Sequence, residues 1–136
     1  MELTSEIIEQ ARAKTADTGG YSLDAHHEHD DCIRIAYHWL DAQTRTKNPG
    51  MANSYKTIIE NWAGRYVSVS DVEVAATLLG LVGGYRTGYN LSRRLTRPRI
   101  SRLDGIGEAF TQNKNSTEGN PSPYRQDELE PVVRGN

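Results

Sequence analysis

The chain has 136 residues and a formal net charge of −2, enough for one domain with one core and too few for two ordinary ones. Hydrophobic residues make up 36%, and Leu, Ile, Val and Phe together number 26, close to the lower limit for folding, so a compact part beside a poorly ordered part is expected. A single cysteine, Cys32, excludes an intrachain disulfide. No apolar run approaches the roughly 20 residues of a membrane span, and the start MELTSEIIEQ lacks the pattern of a secretory signal, so a soluble cytoplasmic protein is expected.

The first predicted helix is capped by Thr4 or Ser5 and runs to about Lys14, with Ile7, Ile8 and Ala11 on one side. A second, longer helix is placed from Ser22, its inward stripe formed by Cys32, Ile33, Ala36 and Leu40 with Trp39 at the border; Asn48-Pro49-Gly50 ends that segment. Asn53 or Ser54 caps a third helix that carries Ile58, Ile59 and Trp62 and stops at Gly64. Both tryptophans read as core residues that join these two helices. Ser70 and Glu73 have the spacing of a capping box, with Val69 and Val74 as its hydrophobic staple, and the helix they start ends at Gly80. After a loop at Gly83-Gly84, a helix is predicted over 87–96, stopped by Pro98. A last short helix holds Leu103, Ile106, Ala109 and Phe110. The expected fold is therefore all-α: one domain over 3–111 with four to six short helices, and a flexible polar tail over 112–136.

Charge is unevenly distributed. Residues 1–74 hold 12 acidic and 7 basic side chains, whereas residues 75–103 hold no acid and six arginines. Placed on a helix, Arg86, Asn90, Arg93, Arg94 and Arg97 share about a third of the circumference, opposite Leu91 and Leu95. Guanidinium groups suit bidentate contacts to phosphate or carboxylate. Asn90 could read an adenine edge, and Tyr85 and Tyr89 could stack on bases; Arg99 extends the set. The segment 70–97, with Ala76 followed by Gly80 and Leu81, resembles a helix-turn-helix. It departs from that family at Arg86, where the family has an apolar residue.

All four histidines lie in or near Asp24-Ala-His-His-Glu-His-Asp-Asp-Cys32, with His38 beyond. On a helix His27 and Asp31 share a face and are the candidate metal ligands, but no second cysteine or HxxxH pair completes a tetrahedral set. Cys32 with a nearby histidine is the one nucleophile–base pair available, and it falls on the apolar stripe. There is no phosphate-cradling GxxxxGK[ST].

The wording IIENWAGRYVSVSDVEVAATLLG followed by NLSRRLTRP is similar to small accessory proteins of temperate enterobacterial phages and prophages. That resemblance implies a role in controlling phage genes or countering the host, in a bacterial cytoplasm. The leading expectation is a non-enzymatic binder of DNA, RNA or a nucleoprotein complex that needs no cofactor. The alternatives are a protein that blocks a host defence system, of the anti-CRISPR or anti-restriction kind, through an acidic face of a host protein, and a metal-dependent enzyme built on the histidine cluster.

Overall fold

A computed structural model describes residues 2–19, 26–50, 54–112 and 122–129. It holds four α-helices, α1 (Ser5–Asp17), α2 (Asp30–Asp41), α3 (Tyr55–Ala63) and α4 (Val69–Leu79). Four short strands follow, β1 (Gly83–Gly84), β2 (Gly88–Tyr89), β3 (Leu95–Arg97) and β4 (Tyr124–Asp127), with a 3-10 turn at Ile100–Leu103. The fold is thus mixed α and β, and the all-α expectation is corrected. Among the described residues no helix is long and apolar enough to cross a membrane.

Helix α4 is the centre, packed by α1, α2 and α3. Its residues from Ser70 to Ala76 are all buried, charged ones included. Its cap lies two residues earlier than expected: Ser68 is the N-cap, its Oγ accepting from Asp71 N, while Asp71 accepts from Ser68 N. The capping box is therefore Ser68/Asp71 and not Ser70/Glu73. The Ser70 hydroxyl donates to the His26 carbonyl instead. Gly80 ends the helix at φ +67, the left-handed cap that glycine adopts without cost.

Helix α2 starts at Asp30, with His29 as N-cap accepting from Asp31 N at 2.9 Å. Residues 26–29 ahead of it are not helical, and the expected start at Ser22 lies outside the described residues. Ile33, Ile35, Ala36, Trp39 and Leu40 are sunk in the core with Ile8, Ile59, Val67 and Val72. Around Trp39 gathers an aromatic group in which Tyr55 touches Trp39, Tyr85 and Tyr89.

The helix expected over 87–96 is absent. β1 and β2 pair as an antiparallel hairpin, and a Cβ on Gly83 would sit 2.0 Å from the Gly88 carbonyl oxygen, so the two glycines touch backbone to backbone. Both have positive φ, +108 and +106. Beyond the hairpin the chain pairs antiparallel with 44–50: Thr46 N donates to Asn90 O, Ser92 N to Thr44 O and Gly50 N to Tyr89 O. The buried Gln43 side chain then acts as a piece of strand, accepting from Thr96 N at 2.8 Å and donating to Thr96 O at 2.8 Å. These bonds satisfy the backbone groups that a helix would otherwise have paired internally.

The expected last helix over 103–110 is the 3-10 turn followed by tight turns, with Phe110 at φ +63 and Phe110 N donating to Ala63 O. In the segment expected as a polar tail, Tyr124–Asp127 forms β4, parallel to β3. Side chains at both ends hold it. Tyr124 Oη accepts from the buried Trp39 Nε1 at 3.0 Å, and Glu128 accepts from Arg102 Nη2 at 2.6 Å, Arg102 Nε at 2.8 Å and Arg99 N at 2.9 Å.

Candidate nucleic-acid interface

The extended course of residues 89–97 redistributes the side chains expected on one helical face. Asn90 is only 8% exposed; its Oδ1 accepts from Val82 N at 2.7 Å and its Nδ2 donates to Thr46 O, so it braces two segments and presents no edge to a base. Tyr89 is 3% exposed in the aromatic group, and burial raises its hydroxyl pKa. Tyr85 is partly buried and accepts from Lys56 N. Neither tyrosine is a surface stacking platform.

The arginines divide into two groups. Arg97, Arg99 and Arg102 are engaged with the acids that follow β4 or end it. Arg97 Nε lies 3.4 Å from Asp127 Oδ1 with its guanidinium over the Tyr124 ring, Arg99 lies 3.5 Å from Glu128, and Arg102 grips Glu128. The carboxyl of Glu128 is held down to about 2, chiefly by the hydrogen bonds from Arg102 against the opposing effect of burial. Arg86, Arg93 and Arg94 are exposed, and no carboxylate among the described residues pairs with them. Arg86 lies at the hairpin turn, on the border of a hollow of about 560 Å³ shared with Lys14, Glu73 and Thr77.

Arg93 and Arg94 have neighbours that the sequence reading did not single out. Segment 44–50 runs antiparallel beside residues 89–92, just ahead of them, Arg45 is paired across from Leu91, and Arg45 and Lys47 are both exposed without a carboxylate partner among the described residues. Four exposed cations thus sit on two segments that are joined by three backbone hydrogen bonds. The turn under Arg94 is fixed by its own amide, which donates to Ser92 Oγ at 3.1 Å. Asp41, the acid nearest in sequence to Arg45, is drawn to Arg102 at 3.1 Å. The sequence did carry a signal: residues 42–59 contain Arg45, Lys47 and Lys56 and no acid.

The described histidines from 26 to 29 make contacts within the chain. His27 is largely buried between two carboxylates, Nδ1 at 2.7 Å from Asp71 Oδ1 and Nε2 at 2.9 Å from Asp30 Oδ1, so both ring nitrogens are taken. Asp31, its expected co-ligand, accepts instead from Arg34 at 2.6 Å and from Glu108 N. Among the described residues no group of three or more His, Cys, Asp or Glu could hold a metal ion. Cys32 is fully buried with Sγ 3.4 Å from Tyr66 O, and desolvation, helped by the Asp71 charge, pushes its thiol up to about 12. A thiol so placed is almost never ionised, and the thiolate is the nucleophilic form. His38 lies against Arg102, and burial first, then that charge, lower its pKa.

No protein-family model, curated protein or solved structure matches this chain.

Proposed function

We propose that the protein is a non-enzymatic binder of nucleic acid, or of a nucleoprotein complex, that holds phosphates along the edge formed by Arg45, Lys47, Arg93 and Arg94. The observation that carries this reading is the set of four exposed cations, unpaired among the described residues, on two hydrogen-bonded segments. Elsewhere the described arginines mostly meet acids of the same chain: Arg34 with Asp31, Arg65 with Glu28 and Glu108, Arg102 with Glu128 and Asp41. Solvated protein surfaces usually mix signs, and a single-sign edge raises the local concentration of polyanions. Binding of this kind is mostly sequence-independent and driven by release of counterions. The engaged state of His27 and the buried, neutral thiol of Cys32 favour binding over catalysis at the other candidate site.

The test is fluorescence anisotropy with labelled oligo-dT and with an oligo-dA/dT duplex. Wild-type protein should bind at about 50 mM salt and lose affinity steeply by about 200 mM. The variant with Arg45, Lys47, Arg93 and Arg94 all changed to Ala should bind at least about tenfold more weakly at low salt while its circular dichroism is unchanged. Equal binding by that variant, or no binding of any oligonucleotide by the wild type, refutes the proposal.

A further inference from the structure

Three residues beyond Arg94, β3 leads to an open groove of about 750 Å³ that none of the preceding features uses. Its apolar surfaces come from Ile58, Trp62, Pro98, Ile100, Pro123 and Tyr124. Ile100 is 58% exposed, an uncovered aliphatic side chain beside a tryptophan. Arg97, at the end of β3, stands at the same groove.

Two lining side chains leave buried N–H donors without an acceptor among the described residues, Trp62 Nε1 and Arg99 Nε. Arg99 Nε is 3.5 Å from Glu128 Oε1 but lacks the geometry of a hydrogen bond. Both atoms are shut off from solvent, so the surface that these two residues offer the groove is the indole ring and the rest of the arginine side chain. Asp127 and Glu128 also border the groove, yet they do not make it anionic: Asp127 is paired with Arg97 and Glu128 with Arg102 and Arg99.

Apolar walls that include the Trp62 indole, and the exposed cations Arg93 and Arg94 just ahead of β3, together match the chemistry of an unstacked nucleobase and its phosphates. The geometry points to single-stranded nucleic acid as the ligand class, with one base seated in this groove against Trp62 while the strand's phosphates follow Arg94 and Arg93. A base carries ring-nitrogen and carbonyl acceptors and a π-face, and single-strand binders combine a cationic track with aromatic stacking. A base inside a duplex keeps its faces stacked and reaches the groove only if flipped, so the site discriminates against paired strands. This inference rests on the proposed nucleic-acid reading and adds the strand form and the base-binding residue.

Tryptophan emission tests it, because Trp39 is fully buried and bonded to Tyr124 whereas Trp62 lines the groove. Oligo-dT is titrated into the full chain, with the oligo-dA/dT duplex and heparin, a polyanion without bases, as the other arms. Oligo-dT should quench Trp62 emission, and the duplex and heparin should bind without quenching. Trp62→Leu should weaken oligo-dT binding by about 5- to 150-fold, the range for loss of one stacked base, and leave heparin affinity unchanged. Ile100→Glu, at an exposed position where folding is not at risk, should weaken oligo-dT more than heparin. If oligo-dT binds without quenching and both variants bind it like wild type, the groove assignment is overturned while the basic edge stands. If no oligonucleotide binds at all, both fail together.

Discussion

Replacing Glu128 by glutamine removes the carboxylate that fastens β4 to the body of the protein. The wild-type group accepts hydrogen bonds from Arg102 Nη2 at 2.6 Å, Arg102 Nε at 2.8 Å and Arg99 N at 2.9 Å. Those bonds hold its pKa at about 2, against 4.5 for an unperturbed glutamate. At 1.36 kcal/mol per pKa unit, that gap corresponds to at most about 3 kcal/mol. The amide can still accept one bond from Arg102, and Arg102 retains Asp41 at 3.1 Å, so a loss of about 1–3 kcal/mol at neutral pH is expected for Glu128→Gln. The pH dependence has a fixed sign. The folded-state pKa is depressed, so the contribution is complete above the unfolded value of about 4.5 and disappears as pH falls through about 2. Urea unfolding followed by circular dichroism, from neutral pH down to about pH 2, measures it. The stability gap between wild type and variant should be constant above the unfolded pKa and close at the acid end. Equal midpoints at neutral pH, or a gap that persists undiminished in acid, would refute the clamp.

Gly83→Ala places a methyl 2.0 Å from the Gly88 carbonyl at a φ of +108, so the β1–β2 hairpin has to open; a loss of at least about 2 kcal/mol is expected in the same unfolding assay, and a stability within error of wild type would contradict the contact. Ser68→Ala removes the acceptor for Asp71 N and the donor to His26 O, for which thermal unfolding should show a loss of about 1–2 kcal/mol. Cys32 should resist thiol reagents in the native protein at mildly alkaline pH and react fully once the chain is unfolded in denaturant; rapid native labelling would contradict a buried thiol raised to about 12.

Much of the helical half was legible in the sequence. α1 and α3 start and stop close to their expected bounds, the Cys32–Leu40 stripe is buried as periodicity requires, and Gly80 caps α4. The cap of α4 was displaced because two serines, at 68 and 70, each stand three residues before an acid; both hydroxyls reach the His26 carbonyl, and the helix starts at the first pair, Ser68 and Asp71. The basic segment misled for a sharper reason. Tyr89, Leu91 and Leu95 are spaced by two and four residues, which suits a strand's period as well as a helix's. What selects extended backbone there is distant in sequence: segment 44–50, the Gln43 amide 53 residues from Thr96, and Glu128. Half of the candidate edge was therefore named in advance, as Arg93 and Arg94. The other half, Arg45 and Lys47, is joined to it only by that long-range pairing. Trp62 was read as a core residue because its helical stripe is apolar, and its place on an open groove follows from β4, in a segment expected to be tail.

The most direct test of the central claim is the salt dependence of oligo-dT binding by the wild-type chain. Four phosphate-facing cations at about 0.7 each should give a slope of about −3 in log affinity against log salt, and changing Arg93 and Arg94 to Ala should bring it to about −1.4. A slope near zero, or one that the double substitution does not alter, would contradict the assignment of that edge.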